Sequence, residues 1–417
     1  MNSLPTDPCQ GGLISLDDAL RQILETISPL EATEQLMLRQ ALGRILAQQV
    51  SATFDLPPFT NSAMDGYALS LTGLQPGCSL EVIGRSMAGQ PFNGRIKQGQ
   101  CVRIFTGAPL PEGADAVLMQ EDALLEGNRM IPQRIPSQGE NIRAAGGDVR
   151  QGDIVLGRGK RLNAADLALL ASLGHSWIQV YQQPTVGFFS SGDELRPLGE
   201  PLTPGTIYES NRYSLHGLLA DLPVVGTDLG HVPDRLEIIR QRLEQGGQNY
   251  DVILSSGGAS VGEADLLGEA LRQVGDMHLW RVAIKPGKPL LFGRIGKAWF
   301  FGLPGNPVSV HVTYSQIVRP ALWKLAGAPS FRPLRIQARC GHDLQKIPGR
   351  LEFQRGQMIQ NPDGELTVFS LSGQGSHQLR NLSQANCYII LPADSTGAKT
   401  GETVLVEPFT CQLPSHD

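Results

Sequence analysis

The sequence predicts a multidomain α/β protein with a central domain built on a mostly parallel sheet, a β-rich inserted module and a small C-terminal β domain. Three observations carry this. Between Pro184 and Gly327 apolar strand candidates alternate with amphipathic helices, the pattern of a parallel sheet with crossover helices. From about Thr53 to Arg150 the chain turns to short β-prone pieces broken by Gly and Pro, as a separate β-rich module would. From Pro333 onward it reverts to strands divided by turns, which suits a small barrel or sandwich.

The elements follow in order. Ser15 with Asp18 forms a capping arrangement, and Leu16, Leu20, Ile23, Leu24 and Ile27 recur at helical spacing until Pro29, so one amphipathic helix opens the chain. The β-rich module follows, with breaks at 56–59 and 107–109. Asn163 followed by Asp166, an apolar face of Leu167, Leu170 and Ala171, and Gly174 at the end mark a second capped helix. The α/β alternation then runs through strands at 185–190, 224–229, 251–255 and 298–303 and helices at 211–222, 234–244 and 264–274. The tail offers strands at 334–338, 367–371, 387–391 and 403–406. The expected domains are 13–32 with 184–332 for the α/β domain, 33–51 with 152–183 for a linking module, 52–151 for the insert and 333–417 for the tail. No internal repeat appears.

Composition narrows the function classes. A chain of 417 residues that is 41% hydrophobic can fill the cores of roughly two to four domains. Against 40 acids stand 35 Lys and Arg, a formal charge of −5, which gives no reason to expect nucleic acid or an anionic membrane as partner. Any anionic ligand must be held locally. Residues 1–12 lack the basic and apolar segments of a secretion signal, and no apolar run approaches the ~20 residues that cross a bilayer. Six scattered cysteines without a CxxC pair suggest neither a zinc knuckle nor a disulfide framework, so a cytoplasmic location is expected. Eight isolated histidines offer no transition-metal cage. Carboxylates should hold any metal.

Three strand-loop-helix junctions are the most informative feature. DVILSSGGASVGEAD (251–265) runs an apolar strand into Gly257 and Gly258 and then a helix. Paired glycines let backbone N–H groups approach a ligand, and a helix N-terminus favours negative charge; they also make an ordinary tight turn. VGFFSSGDE (186–194) delivers a similar turn followed by two acids. WFFGLPGNPVS (299–309) ends in Asn306, suited to an N-cap, and Pro307, suited to the first helical position. All three should finish at one sheet edge, where open α/β sheets bind ligands. Between them, RVAIKPGKP (281–289) reads as a strand ending in cations held by two proline turns. Lys285 and Lys288 could clamp an anion as point charges, or lie in a solvated loop.

Together these pieces resemble the molybdopterin molybdenumtransferase family, the MoeA-type enzymes related to the E domain of gephyrin. The resemblance covers nearly the whole chain: NSAMDGYA (61–68), TGAP (106–109), SGDE (191–194), SSGG (255–258) through GEAD (262–265), KPGKP (285–289) and LPGNP (303–307). It implies a molybdopterin-binding α/β domain, a C-terminal β-barrel and a homodimer formed through the linking module. It also implies an enzyme that takes adenylylated molybdopterin (MPT-AMP) and molybdate and releases AMP and molybdenum cofactor with the help of Mg²⁺. Contact with the adenylyltransferase and with molybdoenzymes goes with that role. Mg²⁺ would be held by one or two carboxylates, with water and phosphate completing its shell.

By the same similarity Asp65, Asp148, Glu194 and Asp265 are the catalytic candidates, Glu194 and Asp265 being also the metal candidates. Thr106, Asp193, Asp234, Ser256, Gly257, Gly258, Arg281, Lys285, Lys288, Pro304 and Pro307 are the substrate-binding candidates. In the family the β-rich module, with Asp65, Thr106 and Asp148, reaches the site of the partner copy. Exposed loop acids are common and an acid opening a helix often serves the dipole; for Asp148, in RAAGGD (143–148), a turn acid is a rival reading. Arg350 in PGRLEFQRG (348–356) and Ser372 in SLSGQGSH (370–377) resemble the family's anion-binding elements and are the molybdate candidates, with a solvated surface role the alternative for Arg350.

The chain departs from the family pattern at Arg281, where lysine is common, at Glu209, which replaces an Asp, and at Gly147, where Glu is frequent. Two other functions compete. The adenylylating partner enzymes share the Gly-Gly pocket domain but lack the β-rich module and barrel. A non-catalytic scaffold retaining the fold would have less need of acids at Asp65, Glu194, Asp234 and Asp265.

Overall fold

The computed structural model describes residues 12–257, 266–329 and 331–410. The chain divides into two compact units, one drawn from Met1–Glu34, Gly43–Ala47 and Val180–Asp417, the other from Gln35–Leu42 and Gln48–Gln179. Helix α1, Leu16–Thr26, opens the first, with the Ser15 hydroxyl accepting from the Asp18 N–H at 3.1 Å. Among the described residues no helix is long and apolar enough to cross a membrane.

The second unit is β-rich. Strands β1 (Gly66–Leu69), β2 (Leu80–Ser86), β3 (Gln100–Ile104), β4 (Ala116–Met119), β5 (Ala123–Glu126) and β6 (Arg129–Pro132) form one sheet in the order β4-β1-β3-β2-β6-β5. Two apolar clusters lie on its faces, one around Leu69, Cys101 and Leu118, the other around Ala68, Val102 and Val117. Neighbouring residues such as Ala68 and Leu69 go to opposite clusters because side chains alternate along a strand. Helix α2, Ala164–Ser172, carries the expected capping box: Asp166 N–H donates to Asn163 and Asn163 N–H to Asp166, at 3.0 and 2.9 Å.

In the first unit, β7 (Thr185–Ser191), helix α3 (Asn211–Ala220), β8 (Val225–Val232), helix α4 (Leu236–Asn249), β9 (Val252–Ser256) and helix α5 (Leu266–Val274) alternate. Strands β10 (Asp276–Arg281), β11 (Ile284–Lys285), β12 (Pro289–Ile295) and β13 (Ala298–Leu303) follow. The sheet order is β8-β7-β9-β13-β12-β10, parallel from β8 to β13 and antiparallel at β12 and β10. β9 and β13 are buried along their whole length, as strands covered on both faces must be. Phe188, Leu254 and Phe301 enter the core shared with α1, while Phe189, Ile253 and Phe300 enter the one beneath α4 and α5.

After β13 come helix α6, Pro307–Thr313, a π-helical turn at Tyr314–Val318 and helix α7, Arg319–Leu325. The C-terminal strands β14 (Ile336–Cys340), β15 (Leu351–Gln360), β16 (Leu366–Ser370), β17 (Cys387–Leu391) and β18 (Thr403–Pro408) run β15-β16-β14-β18-β17, and β15 pairs with β17 to close a five-stranded barrel. The barrel interior holds Met358, Val368, Ile389 and Val406.

One segment differs from the sequence expectation. Residues 281–285 do not form one strand: β10 ends at Arg281, and β11 leaves the sheet to pair with Leu351 and Glu352 of the barrel. The segment is the extended tip of the β10–β12 hairpin, pinned by Val282 N–H to Lys288 O at 2.8 Å. Period-two apolarity cannot show which sheet a short strand joins.

On α6, His311 is largely buried and its Nδ1 lies 2.7 Å from the Tyr388 hydroxyl. Burial first, and the Arg319 charge second, push its pKa from 6.5 to about 4. Within that window the unfolded chain binds a proton that the folded chain refuses. Stability is therefore full above pH 6.5 and falls toward pH 4, by up to about 3 kcal/mol. Urea unfolding at pH 7 and pH 4.5 should show this loss, reduced by a comparable amount in His311→Gln; equal losses in the two proteins would remove His311 as its source.

Candidate functional site

Strands β7, β9 and β13 end level with one another: Ser190 is in register with Ser256, and Ser256 with Leu303. The three junctions therefore leave one sheet edge, as their sequences suggest. Gly257 has φ +91°, and a Cβ there would come within 2.5 Å of the Ser191 carbonyl oxygen, so only glycine lets the ends of β7 and β9 approach. Gly192 has φ +142° and turns the chain so that Glu194 folds back beside it.

A cleft of about 560 Å³ opens at this edge, lined by Ser191, Glu194, Glu209, Ser256, Asn306 and His377 among others. Gly257 and Pro307 also line it. Asn306 occupies the N-cap position of α6 without capping through its side chain, and Pro307 stands at the first turn. Among the described residues the buried Ser190, Ser255 and Ser256 hydroxyls find no hydrogen-bond partner, so this strand edge carries polar groups that a ligand could satisfy.

Acids gather nearby. Asp193 and Asp234 exchange backbone-to-carboxylate hydrogen bonds, Asp234 N–H to Asp193 at 3.1 Å and Asp193 N–H to Asp234 at 3.4 Å. Burial raises the Asp234 pKa; the neighbouring Asp193 and Glu194 charges act in the same sense, while the Asp193 N–H opposes them. A divalent cation would relieve that crowding. Among the described residues no group of three or more His, Cys, Asp or Glu is arranged as a metal cage. Gly258 and Asp265 lie outside the described residues.

In the other unit the structure brings Asp65 and Thr106 together. The Asp65 carboxylate accepts from the Thr106 N–H at 2.8 Å and the Thr106 hydroxyl at 2.7 Å, which lowers its pKa, the backbone donor contributing most. Asp148 is exposed, with its own N–H bonded to the Leu56 carbonyl.

The cationic candidates divide. Arg281 and Lys288 are exposed at the sheet edge of the junctions but do not line the cleft. Lys285, in β11, reaches Glu352 at 3.2 Å, and Arg350 donates to the Ile284 carbonyl at 3.4 Å, so Lys285 and Arg350 stand together on adjacent strands. Ser372 follows Leu371, whose N–H donates to the Arg355 carbonyl, and the antiparallel register that pairs Ser370 with Gly356 carries the chain toward Gln354, roughly 13 Å along the strand from Arg350 at about 3.3 Å per residue. No hydrogen bond or ion pair joins the two among the described residues.

Sequence reasoning missed four contributors. Glu209 was noted only as a departure; it is buried, and its Oε1 accepts from the Asn211 N–H at 2.6 Å and the Arg212 N–H at 3.2 Å, capping α3. Asn211 donates to the Gly305 carbonyl at 2.8 Å and so ties α3 to the third junction. Arg355 is fully buried and donates to the Gly373 and Gly375 carbonyls at 3.0 and 3.1 Å, holding the loop that delivers His377. The signal for Asn211 was its place at a helix start; Arg355 and His377 lay inside the runs 348–356 and 370–377, where Arg350 and Ser372 were chosen instead.

The comparisons with known proteins fit this arrangement. The family model described as "MoeA N-terminal region (domain I and II)" matches residues 14–174, "Probable molybdopterin binding domain" matches 187–324, and "MoeA C-terminal region (domain IV)" matches 337–409. The chain is 42% identical to a molybdopterin molybdenumtransferase of Haemophilus influenzae over 95% of its own length and 99% of the relative's. It is 36% identical to one of a Nostoc species, over 96% and 94%. A crystal structure of a molybdopterin biosynthesis MoeA protein from Pyrococcus horikoshii OT3 superposes with a TM-score of 0.83 at 31% identity, covering 95% of this chain and all of that one. With 42% identity spanning both proteins almost end to end, the chain belongs to the molybdopterin molybdenumtransferase family and is a transferase of molybdenum cofactor biosynthesis.

Proposed function

We propose that the cleft at the ends of β7, β9 and β13 binds adenylylated molybdopterin, and that the chain exchanges its AMP for molybdenum delivered as molybdate. The observation that carries this is the level ending of three Gly-rich junctions beside the acids Asp193, Glu194 and Asp234. Backbone N–H groups around Ser256, Gly257 and Gly258 would cradle the pyrophosphate, with Pro304 and Pro307 shaping the opposite wall and Arg281 and Lys288 neutralising charge at the rim. Arg350 and Ser372 are proposed to hold molybdate, with Lys285 beside the Ile284 carbonyl that Arg350 reaches.

Glu194 and Asp265 are proposed to hold Mg²⁺; Glu194 is one of the charges crowding Asp234, which a divalent cation would offset. When bound, the ion offsets charge on the phosphates as the phosphoanhydride bond breaks. Asp65, Thr106 and Asp148 are proposed to complete the site of a partner copy in a homodimer joined through the linking module of residues 33–51 and 152–183, with the insert at 52–151 and the barrel at 333–417. Handing on the product implies contact with the adenylyltransferase and with molybdoenzymes in the cytoplasm.

Purified protein given adenylylated molybdopterin, molybdate and Mg²⁺ should release AMP and reconstitute a molybdoenzyme. AMP release at the level of the protein-free blank would sink the reading.

A further inference from the structure

Glu352 is an acid that no sequence motif singled out, and the structure sets it against Lys285, next to the Ile284 carbonyl that the proposed molybdate residue Arg350 reaches. It stands in register with Lys285 across the β11–β15 pair. Its Oε2 accepts from Lys285 Nζ at 3.2 Å and its Oε1 from Gln354 Nε2 at 3.1 Å, while Gln354 is itself tied to the Gln345 carbonyl at 3.0 Å. The Glu352 side chain is 5% exposed and that of Lys285 40%. The carboxylate is thus fixed from behind while its ammonium partner still meets solvent. Arg350, two residues before Glu352, makes no ion pair among the described residues and reaches only the Ile284 carbonyl. One buried negative charge therefore holds one of the two cations, while the other reaches the carbonyl of Ile284, the residue just before Lys285.

We propose that Glu352 is a positioning residue that limits how tightly Lys285 and Arg350 hold a tetrahedral oxyanion, so that molybdate is exchanged rather than trapped. The inference rests on the reading of Arg350 as a molybdate residue and extends that site to Lys285. A dianion arriving at Lys285 must share the ammonium with a carboxylate that cannot retreat, and like charges a few ångströms apart in a partly desolvated place oppose binding. The same contact aims the flexible lysine stem, whose freedom would otherwise be lost on binding.

Equilibrium dialysis of the full chain against molybdate tests this. Glu352→Gln, whose amide oxygen can still accept from Lys285, should bind molybdate roughly tenfold more tightly than wild type, with sulfate tightening in parallel. Glu352→Asp, which keeps the charge, should stay within about threefold of wild type, and Lys285→Ala should bind at least about tenfold more weakly. A carboxylate that only supports the barrel would leave affinity unchanged or weaken it in Glu352→Gln, and either result overturns the proposal. Tightening by Glu352→Asp as well would overturn it too, because charge would not be the cause. Binding that is lost in Lys285→Ala but unmoved in Glu352→Gln overturns the role of Glu352 alone. Binding insensitive to Lys285→Ala overturns the place of Lys285 in the molybdate site and the role of Glu352 together. Thermal melts confirm that each variant is folded, and Glu352→Asp keeps the test decisive should the amide destabilise the barrel.

Discussion

Gly257→Ala is expected to destabilise the chain by roughly 2–4 kcal/mol and to lower AMP release by more than about a hundredfold. Two costs add. The residue sits at φ +91°, where a side chain is strained, and the new methyl would stand 2.5 Å from the Ser191 carbonyl oxygen. That oxygen belongs to the end of β7 rather than to a flexible side chain, so relief requires the carboxyl ends of β7 and β9 to part. Their separation is what sets the floor of the cleft, because Ser190 and Ser256 are held in register immediately before it. Gly305→Ala is the matched control. Among the described residues its Cβ would meet nothing nearer than the Gly257 Cα at 3.8 Å, an ordinary contact, so its stability should change by less than about 1 kcal/mol. Urea unfolding and AMP release on both variants decide the matter. A Gly257→Ala protein with wild-type stability and turnover would show that the close approach of the two strands is not needed.

The contrast between these glycines shows what could be read from the sequence. Strand, Gly-rich turn and helix follow from local pattern, and three such units put their turns at one sheet edge because the carboxyl ends of parallel strands lie on the same side. Ala298–Leu303, the Ser15 N-cap and the capping box at Asn163 were legible for the same local reason. What escaped depends on pairings between distant segments. Ile284 and Lys285 read as the end of a sheet strand, yet they pair with Leu351 and Glu352. No periodicity reports a partner 67 residues away. Arg350 was grouped with Ser372 by resemblance, and its bond to the Ile284 carbonyl, next to Lys285, left no mark in the motif. The roles of Glu209 and Arg355 were not legible because buried charged residues are uncommon, and the groups they satisfy, backbone N–H and C=O, leave no mark in the sequence.

Mixing two inactive variants should restore activity, and this is the sharpest expectation for the shared site. Glu194 lines the cleft in one unit, whereas Asp65, held ionised by the Thr106 N–H and hydroxyl, belongs to the other. Removing either acid is expected to reduce AMP release by roughly a hundredfold or more, the usual cost of losing a group that handles charge or protons in the reaction. If a site takes Glu194 from one copy and Asp65 from its partner, a heterodimer of Asp65→Ala and Glu194→Ala carries one intact site and one that lacks both acids. Random reassembly of equal amounts makes about half the dimers mixed, so activity should recover to about a quarter of wild type. Were both acids supplied to a site by the same copy, each site in the mixture would still lack one of them and no recovery could occur. Native mass spectrometry of differently tagged chains verifies that heterodimers formed. Activity that stays near the level of the single variants in such verified heterodimers would place Asp65 and Glu194 in the same copy's site, or Asp65 outside the site altogether.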